Sequence, residues 1–249
     1  MTSKLTRKIR HLGERLIAKT QQPMQLGREL VAEAYLKGEG IEIGALHDPL
    51  KVPSAATVKY VDRLSVAELR KQYPELDSKE LVNVDIIANG ELLETVADAS
   101  QDFVIANHFI EHCQDPIRAL LSMFRVLKVG GKLYMAVPDK RYSFDLDRPI
   151  TPLEHLFKDF KEGPEWSKRQ HFEEWVRLVN KVQDEDEVRK QIDINMEMDY
   201  SIHFHVWTQR EMFEFVAAMR DLVTFDIELV LRNVNEVVFV FRKDPPPAE

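Results

Sequence analysis

Short apolar runs, separated by turn and helix signals, begin at residue 39 and recur through the first half of the chain. Five of them have the length and composition of β-strands, at residues 40–44, 57–62, 82–87, 102–107 and 132–138. Strand runs that alternate with helical segments form parallel sheets with crossover connections. The pattern therefore predicts an α/β fold with a mostly parallel, Rossmann-like sheet flanked by helices.

The clearest helix signal lies between the fourth and fifth runs. Asp115 can serve as an N-cap and Pro116 suits the first helical position, and apolar residues follow at helical spacing. Gly130-Gly131 predicts the end of this helix. The helix would return the chain to a parallel neighbouring strand.

The alternation stops after Pro138, and about 85 residues pass before the next strand run. Helical patterns occupy much of this stretch, at residues 153–160, 164–182, 184–192 and 209–221, and runs at 224–231 and 236–242 predict a C-terminal antiparallel hairpin. Long excursions within a compact domain are usually functional. We therefore interpret residues 139–222 as a helical insertion that caps the sheet, within a domain spanning 38–249.

Residues 1–37 are predicted to form a separate N-terminal helical segment. Its first part is basic and has apolar residues at helical spacing, namely Leu5, Ile9, Leu12 and Leu16. This pattern favours a solvated amphipathic helix. A transit peptide or a surface anchor is the alternative.

The chain carries 34 lysines and arginines against 42 aspartates and glutamates, a formal net charge of -8. This balance disfavours nucleic acid and anionic membrane surfaces as partners. The single cysteine, Cys113, cannot form an internal disulfide, and no apolar run is long enough for a membrane span. We expect a soluble, cytoplasmic protein.

Polar and small residues follow each of the first four strand runs. In an open parallel sheet these positions meet at one edge, where ligands bind. The resulting candidates for cofactor binding are Glu42, Gly44, Ala45, Asp62, Arg63, Asn89, Gly90 and Asn107. His108 comes directly after the last of them. The carboxylate of Asp62 has two oxygens that suit the vicinal diol of a ribose.

The turn after the first strand distinguishes between nucleoside cofactors. It reads Gly44-Ala45-Leu46-His47-Asp48-Pro49 and lacks the glycines with which a backbone cradles a pyrophosphate. Asp48 would repel that group. S-adenosylmethionine has no phosphate and is cationic, so it tolerates this acidic turn better than NAD does.

Four stretches together resemble the small-molecule branch of the class I S-adenosylmethionine-dependent methyltransferases. They are Gly40–Ala45, Tyr60–Asp62, Asp102–His112 and Phe124–Leu133. The resemblance covers about residues 38–140 and implies S-adenosylmethionine as the cofactor. It also implies that Glu42 and Gly44 face the methionine part, that Asp62 binds the ribose, and that residues 89–91 border the adenine.

Two histidine patterns raise the question of a metal. Residues 108–112 match the His-x-x-Glu-His motif of a zinc peptidase class, but they directly follow a strand, so the two histidines do not share a helical face. A cluster of His155, His203 and His205 has no supporting spacing. We predict no metal ligands.

Polar and aromatic residues concentrate in the insertion that roofs the pocket. Methyl transfer to a hydroxyl needs a base, and His108, Asp139 and His205 are the catalytic candidates. The predicted function is transfer of a methyl group to a small-molecule or glycan-type acceptor at oxygen. An NAD-dependent Rossmann oxidoreductase and a non-catalytic partner subunit are the alternatives, and the oligomeric state is left open.

Overall fold

The computed structural model describes residues 27–246. The amphipathic pattern at Leu5 to Leu16 lies outside these residues. Within them, no helix combines the length and the apolar character that crossing a membrane requires.

A seven-stranded sheet forms the centre of the molecule, in the order β3-β2-β1-β4-β5-β7-β6. Strands β1 to β5 are parallel, and β7 runs antiparallel between β5 and β6. The strands are β1 Gly38–Ile43, β2 Ala56–Asp62, β3 Ile86–Ile87, β4 Gln101–Asn107, β5 Leu127–Pro138, β6 Phe225–Asn233 and β7 Glu236–Lys243. In the parallel part of the sheet, β2 and β3 lie on one side of β1, and β4 and β5 lie on the other. The strand order therefore switches between β1 and β4, and a ligand crevice is expected beyond the carboxyl ends of these two strands.

Seven α-helices surround the sheet in the described part of the chain. They are α1 Arg28–Tyr35, α2 Val66–Gln72, α3 Pro116–Val126, α4 Leu153–Glu162, α5 Glu165–Glu174, α6 Glu185–Glu197 and α7 Gln209–Met219. Helix α5 continues into a π-helical turn at Trp175–Val179. We call residues 140–206, which contain α4, α5 and α6, the insertion. Helix α7 also lies within the predicted range 139–222, but it follows the point where the chain returns to the sheet.

Three apolar clusters hold these layers together. The largest packs α3, α4 and α7 against one face of the sheet, with Phe124, Phe215 and Phe239 among its buried members. The second joins α1 to the other face, and its strand residues include Tyr134. The third lies inside the insertion, around Phe172. The insertion therefore has a core of its own, which stabilises it by removing apolar surface from water.

The predicted α/β class, the mostly parallel sheet, the C-terminal hairpin and the helical insertion are confirmed. One strand prediction is wrong in extent, because only Ile86–Ile87 of the run at 82–87 joins the sheet. The Asp85 carboxylate accepts a hydrogen bond from the Tyr60 amide at 2.8 Å. The Asp85 side chain thus occupies the Tyr60 N–H, with which the backbone of a longer β3 would have paired.

The predicted end of the helix after Asp115 is also wrong. Helix α3 ends at Val126, and Leu127 is already extended and pairs with Gln101. Gly130, with a φ of 82°, and Gly131 lie at an irregularity in the pairing of β5, not at a helix terminus. A Cβ on Gly131 would lie 2.9 Å from the Lys128 carbonyl oxygen, so this bulge requires glycine.

Helix α2 was not predicted, although Ser65 and Glu68 form a capping box at its start. The other helix boundaries differ by a few residues. The helix predicted at 184–192 extends to Glu197, and the one predicted at 209–221 ends at Met219. Helix α1 packs on the sheet and its Arg28 carbonyl accepts a hydrogen bond from Tyr134, so this part of the N-terminal segment contacts the sheet directly.

Candidate functional site

A cleft of about 640 Å³ lies beyond the carboxyl ends of β1, β2 and β4. Its floor comes from the loops that follow these strands, and its roof comes from the insertion. Of the predicted residues, the cleft is lined by Gly44, Asp62, Arg63, Asn89, Gly90 and His108. Its size is within the usual range for pockets that bind small molecules.

Gly44 and Asp62 mark the ends of the two neighbouring strands. Gly44 has a φ of 65° and its amide donates to the Val61 carbonyl at 2.9 Å, which turns the chain sharply out of β1. Burial raises the pKa of Asp62. Its Oδ1 lies 3.4 Å from the Leu64 amide, which is a long hydrogen bond, so this carboxylate retains acceptor capacity for a ligand in the cleft.

The loop after β3 forms the next part of the wall. Asn89 Oδ1 accepts from the Glu91 amide at 2.8 Å, and Glu91 accepts from the amides of Gln114 and Asp115. A Cβ on Gly90 would lie 2.7 Å from both Ile43 and Phe109. The loop is thus held close to β1 and to the start of α3, and Gly90 is required by packing.

Three of the predicted cofactor-binding residues do not line the cleft. Glu42 is buried, and both of its carboxylate oxygens accept from the Leu50 amide, at 3.0 and 3.1 Å. Burial raises the pKa of Glu42 to about 7. Ala45 lies in the turn that follows Gly44, where its carbonyl accepts from the Asp48 amide. The side-chain amide of Asn107 is buried and has no hydrogen-bond partner among the described residues.

His108 follows β4 at the edge of the cleft and lies between two carboxylates. Its Nε2 is 2.7 Å from Glu236 Oε2, and its Nδ1 is 3.6 Å from Glu111 Oε1. Burial on its own would lower the pKa of His108, but the hydrogen bond to Glu236 and the charge of Glu111 raise it on balance. Glu236 is itself bound by Arg28 and by Asn233.

The other two predicted catalytic residues lie away from the cleft. Asp139 is buried and bonded to Arg141, which lowers its pKa although burial opposes the shift. His205 is buried in the insertion, where desolvation lowers its pKa. Of the three predicted catalytic residues, only His108 is placed to reach a ligand in the cleft.

The insertion contributes residues that the sequence reasoning missed. Asp199 accepts two hydrogen bonds from Arg63, one to its carboxylate at 2.6 Å and one to its carbonyl oxygen at 2.9 Å. Tyr200 packs edge-to-face on Tyr73, with ring centroids 6.0 Å apart. These contacts join the insertion to the loop after β2 and close one end of the cleft. Trp175, Phe144 and Phe204 add aromatic surface there.

The cleft is acidic. Among the described residues its lining includes four carboxylates, from Asp62, Glu75, Glu91 and Asp199, and one guanidinium, from Arg63. Since Arg63 is paired with Asp199, no unpaired arginine or lysine of the described lining offers its charge to an anion. The lining therefore suits a cationic ligand better than one that contains a pyrophosphate.

The His-x-x-Glu-His residues do not form the helical metal site of a peptidase. Residues Ile110–His112 form a 3-10 turn, and His112 Nδ1 lies 2.9 Å from the Ile202 carbonyl oxygen. His203 does not join His155 and His205, because its Nδ1 lies 2.7 Å from Asp145 Oδ2. His155 and His205 do lie close together, but the third histidine beside them is His171.

Comparisons with known proteins match the part of the chain that contains the parallel strands. Residues 41–135 match a family profile described as a methyltransferase domain. A protein of Mycolicibacterium smegmatis, described as a probable S-adenosylmethionine-dependent methyltransferase, is 33% identical over 94 residues. The match covers 37% of this chain, and the chain spans about a third (33%) of that relative.

Two solved structures are among those similar to this chain. An S-adenosylmethionine-dependent methyltransferase from Methanosarcina mazei has a TM-score of 0.47 at 18% identity, over 85% of this chain and 95% of that one. The 1,6-didemethyltoxoflavin N1-methyltransferase of Burkholderia thailandensis has the same TM-score at 12% identity, over 96% of this chain and 87% of its own. The latter structure contains S-adenosylhomocysteine.

Proposed function

We propose that this chain, which carries a methyltransferase domain at residues 41–135, is a class I S-adenosylmethionine-dependent methyltransferase and that it methylates a small-molecule or glycan-type acceptor at an oxygen atom. The observation that carries the proposal is the convergence of Gly44, Asp62 and His108 on one acidic cleft. S-adenosylmethionine, when bound, supplies a methyl carbon that its sulfonium has already activated.

The lining fits this cofactor in two respects. Asp62 has an acceptor oxygen for a ribose diol, and the surplus of carboxylates suits the positive charges of a sulfonium and an ammonium group. Gly44, Asp62, Asn89 and Gly90 would hold the cofactor. The aromatic side chains of the insertion would orient the acceptor and exclude water from it.

His108 is the proposed base. Glu236 accepts from Nε2–H, which leaves Nδ1 with the lone pair that can take a hydroxyl proton. The imidazolium that then forms lies between the carboxyl groups of Glu236 and Glu111. This arrangement supports methylation at oxygen, because an acceptor hydroxyl must lose its proton whereas a neutral amine can react first and lose its proton afterwards.

Calorimetric titration with S-adenosylhomocysteine and with NADH tests the cofactor assignment. We expect the first to bind and the second not to bind. Binding of NADH alone would favour the oxidoreductase alternative. Asp62→Ala should abolish binding of S-adenosylhomocysteine, whereas a non-catalytic partner subunit would show no measurable change.

The acceptor is tested by incubating the chain with methyl-labelled S-adenosylmethionine and a panel of monosaccharides, phenols and amines. Label transferred to hydroxylated compounds supports the proposal. Label found only on amines would contradict methylation at oxygen, while leaving the cofactor assignment intact.

A further inference from the structure

Three histidines from different parts of the insertion meet in its interior. His155 lies on α4, His171 on α5, and His205 in the segment that leads to α7. One nitrogen of each lies within 4.8 Å of the others, and the ring centroids are 5.0, 5.1 and 5.5 Å apart with interplanar angles of 66–75°. The three rings therefore surround a common point instead of stacking on one another.

A carboxylate lies beside the three rings. Asp159 is one helical turn after His155 on α4, and its Oδ2 lies 3.2 Å from His155 Nε2 and 3.7 Å from His205 Nε2. His155 Nε2 is 3.1 Å from His171 Nε2. Ligands bound tetrahedrally at 2.0–2.1 Å from a metal are separated by roughly 3.3 Å. The distances from His155 to Asp159 and to His171 lie close to that value, and the distance from Asp159 to His205 is somewhat longer.

The protein itself leaves these atoms poorly satisfied. The side chain of Asp159 is completely buried, and its Oδ2 has no hydrogen-bond partner among the described residues. His205 is equally buried, and the hydrogen bond that its Nε2 makes, to the Gln114 carbonyl oxygen, is long at 3.4 Å. A buried carboxylate oxygen without a hydrogen bond is costly, and a cation at the centre of the cluster would remove that cost.

A hydrogen bond from α5 orients the carboxylate of this cluster. The other oxygen of Asp159 accepts from Ser167 Oγ at 3.1 Å, which fixes the orientation of the carboxylate.

We propose that His155, Asp159, His171 and His205 bind a divalent metal ion of the zinc class and that this ion joins α4, α5 and the segment before α7. Three imidazoles and one carboxylate are a donor set that zinc accepts. Four protein ligands leave no open position, and none of the four lines the cleft. The ion is therefore structural, and it is separate from the proposed methyl-transfer site.

Metal content of the untagged full chain tests the proposal. After a brief treatment with a weak chelator and gel filtration, plasma mass spectrometry should find roughly one zinc ion per chain. His171→Gln and Asp159→Asn should each weaken zinc affinity by more than about 100-fold, measured by competition with a chromophoric chelator. The matched control is His47→Gln, an exposed histidine outside the cluster, which should retain the ion.

Ser167→Ala keeps all four ligands and provides a test if the ligand variants fail to fold. It should fold and weaken zinc affinity by about 10- to 100-fold, because only the orientation of Asp159 is lost. Cobalt substitution should give the visible absorption of a tetrahedral site in the parent chain. A chain that folds without binding zinc or cobalt, or an unchanged affinity in the ligand variants and in Ser167→Ala, would overturn the proposal.

Discussion

At the scale of single residues, His108 has a backbone conformation that is uncommon outside glycine, with a φ of 47°. Its amide donates to the Ala136 carbonyl at 2.8 Å, and its imidazole is held by Glu236. Strained backbone of this kind persists only where the surrounding structure enforces it, and it is concentrated at functional sites. His108 is thereby placed at the cleft by bonds to both β5 and β7.

Replacing this histidine tests its role as a base. His108→Gln should lower kcat by about 10²- to 10⁴-fold, because the proton acceptor is lost. The affinity for S-adenosylhomocysteine, measured by calorimetry, should change little. A variant that retains full kcat would show that another group takes the proton.

The partner of His108 should affect the pH dependence of the proposed reaction. A base must be neutral to act, so the rate should rise as pH increases through the pKa of His108. Glu236→Gln removes the carboxylate that raises this pKa, and the rising limb of the pH–rate profile should therefore move to lower pH. A profile of kcat against pH for both chains measures this shift, and an unshifted limb would exclude the coupling.

At the scale of elements, the contact between Arg63 and Asp199 connects the sheet to the insertion. Both side chains are partly exposed, so the pair should contribute less than about 1 kcal/mol to global stability. Asp199 has a φ of 45°, which asparagine tolerates. Asp199→Asn should leave the urea midpoint almost unchanged, raise KM, and speed amide hydrogen exchange at residues 196–201. Unchanged exchange there would mean that the pair does not hold the cleft closed.

The close pairing of β1 and β4 depends on Gly40. A Cβ at this position would lie 2.4 Å from both the ring and the carbonyl oxygen of Phe103. Gly40→Ala should therefore destabilise the protein by about 1–3 kcal/mol or more in urea unfolding. Gly27→Ala is the control, since a Cβ there would meet nothing within 4 Å. Its loss of unfolding free energy should be clearly smaller than that of Gly40→Ala.

The elements also show how far the sequence could predict the site. Asp62 and His108 were found because each directly follows a strand, and the topology of a parallel sheet brings such positions together. Tyr200 and Asp199 were not found, because nothing in the local pattern of a connecting segment tells which loop it will meet. The histidine cluster was not predicted. His155 and His205 were considered with His203, and His171 lies in a helical pattern that contains no other sign of a ligand.

At the scale of the whole molecule, acid should destabilise the fold through His112. Burial lowers the pKa of His112 to about 3. Because the folded-state pKa lies below the unfolded value of 6.5, the stabilisation is present above pH 6.5 and is lost as pH falls towards 3. The free energy of unfolding should fall by up to about 1.4 kcal/mol per pH unit for this group. Urea unfolding between pH 8 and pH 4.5 measures the loss, and a slope that stays the same in His112→Gln would contradict the assignment.

The insertion leaves the sheet and returns to it at nearly the same point. Asp139, directly after β5, forms a bridge with Trp207, and the Lys140 amide donates to the Trp207 carbonyl at 2.9 Å. Residues 140–206 therefore form a closed excursion whose ends are already adjacent, with a core of their own around Phe172. The interior of such an excursion can change in length or sequence between fixed ends while β5 and the start of α7 keep their places. Only α4, which packs in the cluster against the sheet, constrains what can replace it.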